Sequence, residues 1–354
     1  MYPALAALQA LNADHPGVET LWVGSEGGME ADLLKREGIA YTEIPAAGLH
    51  GVGVRALPRN LLRLGRGLLQ SRRILQSFRP DVLFFTGGFL AGPMAAATRL
   101  SPRRTPILLF VPDIEPGLAL QLLARLADRI AVSAPDSQKY FGRRVDVTGY
   151  PVRASFRDWN RLSARKALGL LPDVPVLLAA GGSKGARTIN LAVMTHLPAL
   201  LEMTQVVHVT GQLDWESAQT NAEKLTQTQR ERYKLFPYLH AEMGAALAAA
   251  DLVVARAGAS TLGELPFFGL PAIVVPYPHA WRYQRVNAEY LQEHLAAVMV
   301  RDEALDRQLP TLVKDLLGNP AKREAMRAAM RGLARPDAAR ALAAQLVALG
   351  GGRT

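Results

Sequence analysis

Eight short apolar runs, each closed by a glycine, proline or polar break and followed by helical periodicity, constrain this chain more than any other feature. They are Thr20–Val23, Asp81–Thr86, Ile107–Val111, Arg129–Val132, Val174–Ala180, Gln205–Thr210, Asp251–Ala255 and Ala272–Pro276. In runs such as Ile107–Val111, both alternating positions are apolar, so both faces of the strand need cover. Parallel sheets flanked by helices meet that need, which makes the chain α/β and doubly wound. A length of 354 residues is long for one core, and the runs fall into two groups on either side of "VTGYPVRASFRDWNR", residues 147–161. We expect two domains facing a cleft, 1–148 and 149–335. An Ala-rich closing helix over 336–354 can return to the first domain. In such sheets ligands sit at the carboxyl ends of the strands.

The beginning of the sequence departs from this plan. "MYPALAALQALN" reads as a helix, with Leu5, Leu8 and Leu11 on one side and Pro3 tolerated in the first turn. "TLWVG" then reads as a strand. A doubly wound domain normally opens with a strand in the middle of its sheet, and this sequence shows none before the helix. Either the given residues start after that strand, or the first sheet is built differently.

Charge is unevenly placed. The formal net charge is +10, yet from Ile44 to Pro80 there is no acidic residue, while Arg55, Arg59, Arg63, Arg66, Arg72, Arg73 and Arg79 fall in that window. Leucines interleave at near-helical spacing. The pattern suits an anionic membrane surface, with Arg59, Arg63, Arg66, Arg72 and Arg73 as the patch. It equally suits a surface helix with leucines in the core and guanidinium groups in solvent. Nucleic acid is disfavoured, because aromatics are sparse in the window and no nucleic-acid-binding motif is present. Cysteine is absent, which removes disulfides and thiolate metal sites. No apolar run approaches the roughly 20 residues of a membrane span, and no signal-peptide pattern opens the sequence.

Two stretches carry candidate chemistry. "LLAAGGSKGARTIN", residues 177–190, places a glycine-rich turn between a strand and a helix. Such a turn offers backbone N–H groups to an anion, or serves only as a tight connection. It is not a P-loop, and Ala180, Gly182 and Gly185 make a defective dinucleotide fingerprint with Thr210 and Gly211 where an acidic ribose reader belongs. "DLVVARAGASTLGELPFFGLPAIVVPYP", residues 251–278, is a strand, a small-residue loop, a helix and a strand. Thr261 and Glu264 have capping-box spacing, so Glu264 either bonds back to the helix start or takes two hydroxyls of a ribose. In "HAWRYQRVNAEYL", His279, Arg282, Gln284 and Asn287 are ligand contacts or a solvated helix face.

Six segments in order, "GMEADLL" (28–34), "AAGLHGVGVRAL" (46–57), "RPDVLFFTGGFLAGP" (79–93), "VTGYPVR" (147–153), "GGSKGARTIN" (181–190) and "ARAGASTLGEL" (255–265), resemble the family 28 glycosyltransferases of the GT-B fold. Within them the likeness is to the MurG type, which moves N-acetylglucosamine from UDP-GlcNAc to lipid I. The resemblance implies two Rossmann-like domains and an inverting attack on the anomeric carbon. It places Gly182, Ser183 and Gly185 on the donor diphosphate with Arg153 nearby. Glu264 falls on the ribose, Arg256 and Ala259 beside the sugar, Met243 and the backbone near His240 around the uracil, and Gln284 on the donor sugar. Gly87 and Gly88 fall on the acceptor side. No cofactor is implied, and with no Asp-x-Asp in the sequence a metal-bridged diphosphate is not suggested. The resemblance also implies a lipid-linked acceptor and peripheral docking at the cytoplasmic membrane face, which favours the membrane reading of the basic window.

Three departures qualify it. The family's first glycine loop, with its His, would immediately precede "MYPALAAL". Where the family has His-Glu-Gln-Asn, this sequence has "FVPD" and then "IEPG". Asp113 and Glu115 there are candidate general bases or simple turn residues. Tyr283 replaces the first of the family's paired glutamines. Alternatives are a diacylglycerol-type acceptor, a sugar-nucleotide epimerase, and a non-catalytic or partner-dependent UDP-sugar binder.

Overall fold

Ile107–Val111 and Arg129–Val132 form strands over the residues of their apolar runs, and every strand pair is parallel. The computed structural model describes residues 1–26, 34–35, 37–45, 57–87, 90–182, 185–280 and 282–351, with 57–59 and 61 described in their backbone alone. The chain divides into two units. One comprises Met1–Pro112, Pro116–Pro151 and Asp337–Thr354; the other comprises Asp113–Glu115 and Val152–Pro336. The short Asp113–Glu115 segment, which the sequence assigned to the first domain, thus groups with the second.

The first unit runs α1 (Tyr2–Asp14), β1 (Trp22–Ser25), β2 (Tyr41–Ile44), α2 (Leu57–Phe78), β3 (Leu83–Phe85), α3 (Ala91–Arg99), β4 (Ile107–Val111), α4 (Leu118–Leu126), β5 (Arg129–Val132) and β6 (Asp146–Val147). The C-terminal helix Ala338–Gly350 belongs to this unit and packs on α1. Its strands form two separate sheets, β1-β2 and β3-β4-β5-β6. The core gathers Leu83, Leu109, Val111, Ile130 and Val132 from the strands and Leu75, Met94 and Leu123 from helices.

In α2 the leucines divide between two faces, so the bland reading of that helix holds for only some of them. Gly67, Ser71 and Leu75, spaced i, i+4, i+8, are buried, whereas Leu62 and Leu69 are 67% and 62% exposed. Leu62, Arg66, Leu69 and Arg73 follow i, i+4, i+7, i+11 and share the outer face. Arg63, Arg66, Arg72 and Arg73 are all exposed; the Arg59 side chain lies outside the described residues. None of the described helices is long and apolar enough to cross a membrane.

The second unit runs α5 (Arg161–Ala167), β7 (Val176–Ala180), α6 (Arg187–Met203), β8 (Gln205–Val209), α7 (Trp215–Glu223), α8 (Gln227–Glu231), β9 (Tyr233–Phe236), α9 (Met243–Ala249), β10 (Leu252–Ala255), α10 (Thr261–Phe268), β11 (Ala272–Val274), α11 (Tyr283–Glu293), β12 (Ala297–Met299), α12 (Leu305–Gly318) and α13 (Pro320–Gly332). Its six strands make one sheet, β12-β11-β10-β7-β8-β9. β7 lies in the interior, paired with β10 from Leu252↔Leu177 and with β8 from Val176↔Gln205. Leu177, Ala179, Val206, Val254 and Ile273 pack under Ile189, Val193 and Leu197 of α6 and Leu309, Val313 and Leu316 of α12. The i, i+4, i+8 spacing in α6 and the i, i+4, i+7 spacing in α12 make the apolar stripe that this sheet face requires.

One buried ion pair ties the helical cover to the sheet. The Asp251 carboxylate accepts hydrogen bonds from Arg165 Nη2 at 2.7 Å and from the Val176 N–H at 2.9 Å, and is also paired with Arg161. Arg165 is 3% exposed and donates further bonds to carbonyls of Leu171, Val174 and Ala249. Removing Asp251 leaves that guanidinium buried without its counter-charge. We expect Asp251→Ala to cost about 3–5 kcal/mol in urea unfolding; a loss under about 1 kcal/mol would contradict this role.

Candidate functional site

The glycine turn and the Arg256–Ser260 loop, which carry most of the candidates for the donor, leave the carboxyl ends of strands in the second unit. β7 ends at Ala180 and the chain turns through Gly181 and Gly182, with Gly185 N–H donating to Gly182 O at 3.0 Å, before α6 begins at Arg187. Gly185 has φ +81° and lies so close to the Thr210 carbonyl at the end of β8 that a Cβ would collide with it. Only glycine meets both conditions. Among the described residues, no side chain caps α6 and none in its first turn is acidic. Its leading N–H groups therefore point past the glycine turn with the positive end of the helix dipole behind them. Ser183 lies outside the described residues.

A second loop, Arg256–Ser260, leaves β10 and leads into α10. The capping box expected of Thr261 and Glu264 does not form. The helix takes Ser260 as N-cap, and the Thr261 hydroxyl donates to Gly258 O at 2.6 Å. Glu264 is instead drawn towards two other groups, the Ser260 hydroxyl, which bonds it, and the Arg153 guanidinium, whose charge acts on it. Burial dominates: it pushes the carboxyl up to about 7, against the lowering by Arg153 and Ser260. Arg153 lies over the Phe156 ring at 4.5 Å and its Nη1 donates to His240 O at 2.7 Å. Three residues far apart in sequence, Arg153, His240 and Glu264, thus meet, and Met243 opens α9 just beyond His240.

Arg256 and Gln284 take positions that spacing did not indicate. The Arg256 guanidinium pairs with Asp302, donates to Val275 O at 3.3 Å and lies 5.1 Å over the Tyr277 ring. Asp302 in turn accepts from the Thr188 hydroxyl in the first turn of α6 at 2.8 Å. Gln284 Oε1 accepts from Tyr277 N–H at 2.8 Å. These bonds lock the loops after β7, β10 and β11 to one another, so Arg256 and Gln284 act on the loops as well as lining them. Ala259 sits in the Arg256–Ser260 loop, its carbonyl accepting from Leu262 N–H at 3.1 Å.

The Asp113–Glu115 segment is held by α11. Asn287 is fully buried, not on a solvated face. Its Nδ2 donates to Asp113 Oδ1 at 2.8 Å and to Ala257 O at 3.1 Å, and its Oδ1 accepts from Ile114 N–H at 3.1 Å. Asp113 is pushed up by burial, against the lowering by the Asn287 bond. Glu115 pairs with Arg282 at 3.2 Å. Tyr283 beside them is raised by burial and by both carboxylates. Asp113 and Glu115 are therefore members of a polar cluster rather than loose turn residues. The sequence singled out Asn287 only as a polar residue of this helical segment, and nothing in it located its partners.

Residues 1–132 match the glycosyltransferase family 28 N-terminal domain and residues 176–342 its C-terminal domain. This chain belongs to glycosyltransferase family 28. Among its relatives is the UDP-N-acetylglucosamine–N-acetylmuramyl-(pentapeptide) pyrophosphoryl-undecaprenol N-acetylglucosamine transferase of Roseiflexus sp. strain RS-1. It is 39% identical, over 97% of this chain and 91% of that one. The crystal structure of Acinetobacter baumannii MurG superposes with a TM-score of 0.74 at 26% identity, covering 98% of this chain and 95% of that one. The UDP-GlcNAc 2-epimerase of Neisseria meningitidis, solved with UDP-GlcNAc bound, reaches 0.68 at 12% identity over 98% and 96%. At that identity the family 28 chain shares only the fold with it. The expectation of two Rossmann-like domains in the GT-B manner accords with these comparisons.

Of the first-unit candidates, Gly87 follows β3 with φ +111°, and Gly88 lies outside the described residues. Among the described residues, no group of three or more His, Cys, Asp or Glu side chains has a metal-holding arrangement.

Because the fold keeps Glu264 protonated to a higher pH than an unfolded chain does, its contribution to stability is complete at pH 4 and declines as pH rises towards 7. We expect a carboxyl titration near pH 7 by NMR. Arg153→Gln should move it higher, and Glu264→Gln should flatten the stability profile between pH 5 and 7.

Proposed function

We propose that this family 28 chain is an inverting glycosyltransferase that moves N-acetylglucosamine from UDP-GlcNAc to N-acetylmuramyl-(pentapeptide) pyrophosphoryl-undecaprenol, a step of peptidoglycan synthesis, at a membrane surface. The observation that carries the proposal is the run of relatives bearing that activity in their names at 35–39% identity across 96–99% of this chain. The 12% likeness to the epimerase carries no competing reading.

The geometry of the second unit supports the following chemistry. The donor diphosphate is assigned to the glycine turn between β7 and α6, where the leading N–H groups of α6 receive it, and the family resemblance adds Ser183 and Arg153. The acceptor hydroxyl attacks the anomeric carbon, the bond from that carbon to the diphosphate oxygen breaks, and UDP leaves carrying the electron pair. Preformed N–H donors and the helix dipole stabilise the charge that develops there, so we expect the rate to persist in EDTA. Glu264 accepts the ribose hydroxyls as a carboxylate. Met243 and the His240 backbone border the uracil, and Ala259, Arg256 and Gln284 border the sugar. Asp113, held by Asn287, is the candidate base for the acceptor hydroxyl, with Glu115 next to it; the family resemblance adds Gly87 and Gly88 as acceptor-side candidates.

The deciding assay is UDP release from UDP-GlcNAc with and without a short-chain lipid I analogue. Acceptor-dependent release is expected, and Glu264→Gln should raise the donor KM by about 10–100-fold, the worth of hydrogen bonds to a charged group. With Glu264 intact the donor KM should fall as pH rises through 7, and in Glu264→Gln that dependence should vanish. Release without acceptor, or an altered free sugar, would overturn the transferase reading.

Membrane docking rests on α2. Its exposed stripe of Leu62, Arg66, Leu69 and Arg73, with Arg63 and Arg72 to either side, suits the cytoplasmic leaflet, where each basic side chain is worth about 1 kcal/mol. Replacing Arg63, Arg66, Arg72 and Arg73 with Gln should weaken binding to anionic vesicles by at least about 100-fold at low salt. Binding that is unchanged by this substitution would remove α2 as the docking element.

A further inference from the structure

His208 stands where the apolar pattern of the second unit calls for an aliphatic side chain. Along β8 it follows Val206 by two residues, so both point to the sheet face that α6 covers. It is fully buried, in register with Ala179 of β7 on one side and Leu235 of β9 on the other. An imidazole in that place costs free energy unless both ring nitrogens are bonded. Both are: Nδ1 lies 2.8 Å from the Tyr233 hydroxyl and Nε2 3.0 Å from Asn190 Oδ1.

The partners fix which nitrogen carries the hydrogen. Asn190 Nδ2 lies 2.8 Å from the Thr210 carbonyl and 2.8 Å from Asp214 Oδ2. A carbonyl oxygen only accepts, so the amide turns its NH₂ to Thr210 and its oxygen to His208. That oxygen also only accepts, so Nε2 bears the hydrogen. Burial pushes the ring down to about 3, and the neutral ring leaves Nδ1 bare to accept from the Tyr233 hydroxyl. Every hydrogen thus points the same way, from Tyr233 on β9 through His208 on β8 to Asn190 on α6 and on to Thr210.

This chain of bonds ends at the glycine turn. Asn190 is the fourth residue of α6, and its own N–H closes the first turn on Ala186 O at 2.9 Å. The N–H groups of Arg187, Thr188 and Ile189 ahead of it are the ones that helix geometry leaves to a ligand. The Thr210 carbonyl that its side chain holds is the one that Gly185 lies against. One amide therefore fixes both the start of α6 and the wall behind the turn. Turned over, it would set its oxygen against the Thr210 oxygen and its NH₂ against the Nε2 hydrogen.

We propose that His208 is a positioning residue of the donor site: its Nε2–H holds the Asn190 amide, so that the glycine turn and the first N–H groups of α6 keep the geometry that receives a diphosphate. The assignment rests on the reading of that turn as the donor diphosphate site. His208, fully buried, acts only through Asn190.

Binding of UDP and of uridine by calorimetry tests this, because only UDP carries the diphosphate. His208→Asn shortens the side chain out of reach of Asn190. It should weaken UDP by about 10–100-fold, the worth of hydrogen bonds to a charged group, and leave uridine unchanged. His208→Gln, whose amide N–H reaches the place of Nε2, should recover most of the loss. The double variant His208→Leu/Tyr233→Phe replaces ring and hydroxyl together with apolar groups, which keeps the core folded, and should show the same selective loss. Nitrogen NMR of the unaltered protein should find the His208 hydrogen on Nε2 and Nδ1 bare. A hydrogen on Nδ1 would overturn the proposal. Equal losses for UDP and uridine would do so too, since they mark a purely structural role, as would unchanged UDP binding in the double variant. Unaltered protein that binds UDP no more tightly than uridine would instead overturn the reading of the glycine turn, and this assignment with it.

Discussion

The arrangement of the second unit depends on the pairing of β7 with strands on both of its sides. A strand buried in a sheet interior has no water for its backbone, so each N–H and C=O must find a neighbouring strand. β7 finds β8 on one side and β10 on the other. That double pairing brings the carboxyl ends of three strands side by side. The glycine turn after β7, the Thr210 carbonyl after β8 and the Arg256–Ser260 loop after β10 become neighbours as a result. Gly185 can approach Thr210 as closely as it does because it carries no side chain. In the first unit the described strands form two separate sheets instead, β1-β2 and β3-β4-β5-β6.

Polar side chains hold the loops once the strands have placed them. His208, buried on β8, bonds the Tyr233 hydroxyl at 2.8 Å through Nδ1 and Asn190 Oδ1 at 3.0 Å through Nε2. Burial pushes it down to about 3, so it stays neutral at physiological pH. Asn190 then donates to Thr210 O and to Asp214 Oδ2, both at 2.8 Å. This chain of bonds runs from the sheet interior to the loop after β8 and fixes α6 against it. On the other side, Thr188, Asp302 and Arg256 join α6 to the loop after β10. The start of α6 is thus clamped from two directions, which gives its N–H groups a fixed aim without a side-chain cap.

How far this was legible depended on the kind of signal. Ile107–Val111 and Arg129–Val132 were readable to the residue because an uninterrupted apolar run leaves few registers for a buried strand. Tyr41–Ile44 and Tyr233–Phe236 were missed: "YTEI" and "YKLF" mix polar and apolar residues over four positions, too short for alternation to emerge. Ala297–Met299 is shorter still. At the site, the glycine turn was readable because φ > 0 and close approach leave a compositional mark. Glu264 lies in the first turn of α10, as its place in the sequence suggested, yet the capping box gave way to Ser260 and Arg153. Arg153 lies more than a hundred residues away, so no local pattern could place it there.

By itself, the sequence determined the α/β class, the parallel sense of the strands, the glycine turn at the end of β7 and the likeness to family 28. These rest on periodicity, on glycine's lack of a Cβ and on ordered motifs, all properties of consecutive residues. Only the tertiary structure decided which side chains meet: Arg153 with Glu264, Asn287 with Asp113, Arg256 with Asp302. It also set Leu62 and Leu69 outside while Leu75 went inside. Such pairings and burials depend on which strand lies beside which, and strand order in a parallel sheet follows from packing of the whole chain rather than from any local stretch of it.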